Sequence, residues 1–270
     1  MTKVGIPSSK DIRETILEMS FAGQTVHIPS AFSIVEILRS LHADVLRYPE
    51  NRPDSPDRDY LVLSKGHGVM ALYPILSARG WISSQDLETY FKDDSKLPGL
   101  YEAAIPGCEA NTGSLGQGLG VAVGLGMAAR IRGSGQISVC LVGDGELNEG
   151  SAYEALSLAG HLALENFMCV VDLNGFQAMG STDSVISSRG LAGVFQGLGF
   201  EVVAVDGHNE DQLGEIFTKF RDSTSNKPLA VIASTTKGKG VSFMENRNEW
   251  HYTRLSTETF SAAKRELGAV

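Results

Sequence analysis

The sequence predicts an α/β fold: a doubly wound, mostly parallel sheet with helices on both faces. Two observations carry this. From residue 137 onward, short apolar runs alternate with helical stretches in the β-α-β manner. The runs "ISVCLV", "FMCVVDL" and "PLAVIAST" are also continuously apolar, which suits parallel strands covered on both faces. The chain has 270 residues, 42% hydrophobic and 20% charged, enough for a sizeable core. No linker, repeat or low-complexity tract divides it, so residues 1–270 read as a single domain.

The elements follow in order. Residues 9–22 form a helix with Ile12, Ile16, Leu17 and Met19 on one face. A second helix follows the loop at His27, capped near Ser30 or Ser33. "NRPDSPDRDY" is a polar, proline-marked loop, "YLVLS" a short strand and "GHGVMALYPILSARG" a helix ending at Gly80. "SSQDLETYF" is a short capped helix, and residues 93–113 are irregular. "GSLGQGLGVAVGLGMAARIRG" is a helix of small residues, so it should pack closely on a neighbour. Then strands at "ISVCLV", "FMCVVDL", "FEVVAVD" and "PLAVIAST" alternate with helices at 151–164, "RGLAGVFQGLG" and "DQLGEIFTKFRDS".

Composition narrows the function. A net charge of −9 without a Lys/Arg cluster argues against nucleic acid. No apolar run reaches the ~20 residues of a membrane span. The N-terminus lacks the apolar core of a signal peptide. Cys108, Cys140 and Cys169 are few, odd in number and far apart. A reducing cytoplasm is expected.

Ligands of such sheets bind beyond the C-terminal ends of the strands. Three loops there carry chemistry: Ser64-Lys65-Gly66-His67, Asp144-Gly145, and Asp172 with Asn174 and Gly175. The turn "GDGELNEG" places carboxylates where a helix start favours an anion. A hard cation resolves the conflict. Mg²⁺ takes oxygen ligands, often one or two carboxylates plus phosphate oxygens. Asp144 offers a carboxylate, Asn174 an amide oxygen, and Phe176 a backbone carbonyl. Phosphate oxygens and a water would complete the set.

The stretch "GDGELNEGSAYEALSLAGHLALENFMCVVDLNGFQAMG" resembles the thiamine diphosphate motif. Four further stretches, "DRDYLVLSKGHGVMALY", "NTGSLGQGLGVAVG", "VDGHNEDQL" and "TTKGKGVSFMENRNEWH", resemble the transketolase family in that order. The resemblance covers nearly the whole chain, but only that family's N-terminal, diphosphate-binding domain. It implies thiamine diphosphate with Mg²⁺, or Ca²⁺ or Mn²⁺ in its place, and transfer of a two-carbon ketol unit from a ketose or ketose phosphate to an aldose. It also implies a partner chain, the C-terminal transketolase subunit with the pyrimidine-binding domain, in an α2β2 heterotetramer.

The same resemblance assigns residues. Asp144, Asn174 and the Phe176 carbonyl match metal ligands, and Gly145 a backbone amide on the diphosphate. His67 matches a histidine near diphosphate and substrate. Gly113, Ser114 and Leu115 match the segment touching the two rings of the cofactor. His251 matches a histidine over the diphosphate and reacting centre, His27 a substrate-side histidine, and Glu149 a glutamate at the dimer interface. The catalytic set is thus His27, His67 and His251, expected to exchange protons near neutral pH. His42, His161 and His208 read as structural, Lys237 is left open, and Glu146 is unassigned.

Two stretches depart from the family. Leu100 in "LPGLYE" stands where the family usually has histidine, and "IPSA" after His27 replaces a more glycine-rich loop. Both lie on the substrate side and put the usual donor in question. Leu100 keeps open one alternative, a 2-oxo acid-decarboxylating acyl or acyloin transferase or α-type dehydrogenase subunit. A non-catalytic regulatory subunit is an alternative of another class, against which the intact metal set argues.

Overall fold

The computed structural model describes residues 5–268. Helix α1 (Ser9–Gly23) starts in a reciprocal cap: the Ser8 hydroxyl accepts from the Asp11 amide at 3.1 Å, and Asp11 accepts from the Ser8 amide at 3.3 Å. Helices α2 (Ile28–Phe32) and α3 (Val35–Ser40) follow, and one π-turn extends α3 through Val45. The expected cap at Ser30 or Ser33 is corrected: α2 begins just after His27, which stands in the left-handed region at φ 70°. Pro29 in the first turn lacks the N–H that would need a cap.

Strand β1 (Tyr60–Leu63) leads into a 3-10 segment, Gly66–Ala71, and α4 (Tyr73–Ala78). The single helix expected here is therefore divided, with Pro74 opening its second part. Helix α5 (Ser84–Glu88) carries the expected cap at Ser83. Helix α6 (Gln117–Arg132) precedes β2 (Ser138–Gly143), α7 (Gly150–His161) and β3 (Phe167–Leu173). A small hairpin, β4 (Phe176–Gln177) and β5 (Gly180–Ser181), leads to α8 (Thr182–Val185). Then come α9 (Leu191–Gly197), β6 (Glu201–Asp206), α10 (Glu210–Arg221), β7 (Leu229–Ser234) and α11 (Thr257–Gly268).

The main sheet is parallel throughout, in the order β1-β2-β3-β7-β6. Alternate residues divide between two cores, as the pleat requires. Leu61, Leu63, Val139, Leu141, Val170 and Val231 face α1, α3 and α10. Val62, Cys140, Val142, Cys169, Val171 and Ile232 face α6, α7 and α9. The sheet is doubly covered, as expected. The edge strand β6 is the exception, being buried at Val205 alone. Helix α6 packs as its small residues predict: a Cβ on Gly118 would lie 2.4 Å from the Ser64 hydroxyl.

The parallel register puts the site loops side by side. Gly143 pairs with Asp172, and Asp172 with Ala233, so the β2, β3 and β7 loops leave the sheet at one level. Among the described residues, no helix is long and apolar enough to cross a membrane.

Candidate active site

The β1 loop brings Lys65 under the β3 loop. The Lys65 ammonium lies 2.5 Å from the Asp172 carboxylate, and both are buried. Asp172 also accepts from Ser33 at 2.8 Å, from the Thr235 hydroxyl, and from the Asn174 amide at 2.8 Å. Burial alone would raise its pKa; Lys65, Thr235 and Asn174 outweigh burial and hold it below the ordinary carboxylate value. Asp172 therefore serves as an anchor. By taking the Asn174 N–H it fixes which end of that amide is oxygen, and Asn174 Oδ1 accepts from the Phe176 amide at 3.1 Å.

Asp144 is nearly as buried, at 4% exposure, but its hydrogen-bond partners are backbone amides: Gly145 at 2.8 Å and Gly175 at 2.7 Å. Burial, then repulsion from Asp172, pushes its pKa up to about 6. Glu146 is buried too and acts as a staple. It accepts from the Ser64 hydroxyl, the Gly116 amide at 2.8 Å and the Gly143 amide at 3.3 Å. It thereby joins the β1 loop, the β2 loop and the start of α6.

One cleft of about 420 Å³ gathers His27, His67, His251, Leu100, Gly113, Leu115, Asp144, Gly145, Glu149, Asn174 and Phe176. Ser114 lies on the same segment but is exposed and does not line the cleft. Leu100 lies against Gly113, where an added Cβ would come within 2.8 Å of a Leu100 methyl. The three imidazoles form a triangle with ring centroids 4.8, 5.3 and 5.7 Å apart. Burial, then the charge of Lys237, lowers His27 to about 4 and His251 to about 3. Burial, then Lys65, puts His67 well below its usual value. Burial and the nearby lysines thus favour the uncharged form of all three, a form able to donate one hydrogen bond and accept another.

Lys237, left open by the sequence, lines the same cleft and is 1% exposed. Its ammonium bonds to a neutral oxygen, Asn248 Oδ1, at 3.4 Å, and lies 5.8 Å above the Phe176 ring. Burial, then Lys65, pushes it down to about 8. Two buried polar atoms of the cleft, His27 Nδ1 and Gln177 Nε2, have no protein partner among the described residues. Gly145 faces Gln177 so closely that a Cβ would sit 2.9 Å from its Cγ. Buried cationic and donor groups around a glycine turn suit an anion. Sequence reasoning missed Lys65, Glu146, Gln177 and the anchoring role of Asp172. A lysine and an aspartate ending otherwise apolar strands were the available signals.

Loops of this chemistry at the carboxyl ends of a parallel sheet define a binder of an anionic cofactor. Residues 11–270 match the family described as "Transketolase, thiamine diphosphate binding domain", and the chain belongs to that family. It is 36% identical over 261 residues to an apulose-4-phosphate transketolase subunit of Phocaeicola vulgatus, covering 96% of this chain and 92% of that one. It is 33% identical over 242 residues to the 6-deoxy-6-sulfo-D-fructose transketolase subunit SqwG of Clostridium sp., covering 89% and 88%. The solved transketolase from Leishmania mexicana superposes with a TM-score of 0.88 at 29% identity, over 98% of this chain. This chain spans only 42% of the Leishmania chain.

Proposed function

We propose that this chain, as one diphosphate-binding domain, is the N-terminal subunit of a cytoplasmic two-chain transketolase. It moves a two-carbon ketol unit from a ketose or ketose phosphate to an aldose. Its partner carries the pyrimidine-binding domain, and the two assemble as α2β2. The observation that carries the reading is Asp144: a buried carboxylate hydrogen-bonded to backbone amides, beside the oriented oxygen of Asn174. Relatives named as transketolase subunits, matched over 92% and 88% of their own length, support the two-chain form.

The donor set suits Mg²⁺, or Ca²⁺ or Mn²⁺: the Asp144 carboxylate, Asn174 Oδ1 and the Phe176 carbonyl are all hard oxygens. A cation there would keep Asp144 ionised despite burial. Gly145 and Lys237 would hold the diphosphate, and Gly113 and Leu115 the cofactor rings. When bound, thiamine diphosphate supplies a nucleophilic carbon and an electron sink for breaking the bond beside a ketone.

The chain's own residues manage protons and orientation. His27, whose buried Nδ1 has no partner among the described residues, is poised to hydrogen-bond a substrate hydroxyl. His67 and His251, uncharged, accept a proton from a donor oxygen and return it to an acceptor oxygen. Leu100 gives the cleft an apolar wall, which favours a donor with fewer hydroxyl groups at that position. Glu149 is exposed at the cleft's rim, and Val121, Tyr153 and Leu158 are exposed on α6 and α7. These side chains support an interface with the partner chain. Calorimetry of thiamine diphosphate with Mg²⁺ on the two-chain complex tests the reading. Asp144→Ala should abolish metal-dependent binding, and unchanged affinity would refute the metal role.

A further inference from the structure

His208 stands in the turn between β6 and α10, in the stretch "VDGHNEDQL". Helix α10 does not need it as a cap, because Asn209 Oδ1 accepts the Gln212 amide at 3.0 Å. Its ring instead bridges two distant elements. Nε2 lies 2.8 Å from the backbone nitrogen of Thr236, and Nδ1 lies 2.9 Å from Glu36 Oε2. A backbone amide only donates, so Nε2 carries no proton. The ring hydrogen is then on Nδ1 and donates to Glu36.

Glu36 is itself fixed. Arg13 grips both its oxygens, at 2.6 and 2.8 Å, and also donates to the Phe32 carbonyl at 3.0 Å. A bidentate pair of this kind has little freedom. So α1 and α3 set the tautomer of His208, and His208 holds Thr236. Thr236 is the residue between two parts of the site. On one side the Thr235 hydroxyl donates to Asp172; on the other is Lys237. The contact is close, since a Cβ on Gly207 would lie 2.4 Å from the Thr235 methyl.

We propose that His208 is a positioning residue: its Nδ1–H tautomer, locked by Glu36 and Arg13, holds the Thr236 amide and so aims Lys237 at an anionic ligand in the cleft. The inference rests on the proposed function in taking that ligand to be the cofactor's diphosphate.

Two amide variants test it, because they restore different ends of the ring. His208→Gln places an acceptor near Nε2, and His208→Asn a donor near Nδ1. Two readouts are needed: amide hydrogen exchange of residues 235–240 in the chain without cofactor, and the Kd for thiamine diphosphate with Mg²⁺ in the two-chain complex. His208→Asn should speed exchange at Thr236 and raise Kd about tenfold, the scale of one lost hydrogen bond. His208→Gln should stay within about threefold of wild type, with the protection kept. Equal behaviour of the two variants in both readouts overturns the proposal. Faster exchange in His208→Asn with an unchanged Kd overturns the link from Thr236 to the ligand. Absence of binding by the wild-type complex overturns the cofactor reading itself.

Discussion

The backbone N–H of His27 donates to the His251 carbonyl at 3.2 Å, and the two rings meet edge to face, 4.8 Å between centroids. Residues far apart in sequence thus share one wall of the cleft, and their protonation is coupled to it. Both are uncharged in the fold well below the pH at which free histidine loses its proton. The unfolded chain therefore binds more protons between about pH 6.5 and their folded values of about 4 and about 3. Their contribution to stability is complete above pH 6.5 and is lost as pH falls through that window. In the chain without ligand, NMR titration should place both midpoints below pH 5. Cofactor binding should raise them, because the diphosphate offsets Lys237. Midpoints near 6.5 in the unliganded chain would contradict this electrostatic picture.

Asp144 carries the opposite sign. Its folded pKa, about 6, lies above the ordinary 3.8, so the folded state binds the extra proton. Its contribution to stability is present below pH 3.8 and is lost as pH rises through about 6. Mg²⁺ with thiamine diphosphate should therefore raise the melting temperature of the complex more at pH 7.5 than at pH 5. Asp144→Ala should remove that difference. Thermal denaturation at the two pH values measures it.

The Lys65–Asp172 pair is buried, so breaking it should be costly. Lys65→Met leaves Asp172 without its cation beneath the site, and about 3–5 kcal/mol of stability should go with it. Chemical denaturation of the single chain reads this directly. A loss below about 1 kcal/mol, the scale of an exposed pair, would show that solvent reaches Asp172.

Leu100 lines the cleft on the side proposed for the donor. Leu100→His should shift the ratio of kcat/KM between polyhydroxylated ketoses and donors with fewer hydroxyls toward the former, by roughly tenfold for one hydrogen bond gained. Competition between two donors gives that ratio. An unchanged ratio means that position 100 does not select the donor.

Much of the fold and part of the site are legible in the sequence because their signals are local. Buried parallel strands announce themselves as apolar runs, and Asp144, Gly145 and Asn174 follow those strands directly. The small residues of α6 foretell its close approach to Ser64. What could not be read depends on pairings across the sheet. Lys65 finds Asp172 only because β1, β2 and β3 lie side by side. Glu146, inside the turn "GDGELNEG", acquires a role only when Ser64 and Gly116 arrive from elsewhere. The lowered pKa values of the histidines come from burial and from nearby lysines, and neither is written at residues 27, 67 or 251. The hairpin at Phe176–Ser181 is too short for any periodicity to show.

The decisive assay is ketol transfer by this chain, alone and mixed with the pyrimidine-domain partner proposed for it. Thiamine diphosphate, Mg²⁺ and a ketose donor should give turnover only when both chains are present. Full turnover by this chain alone would contradict a site shared between two chains.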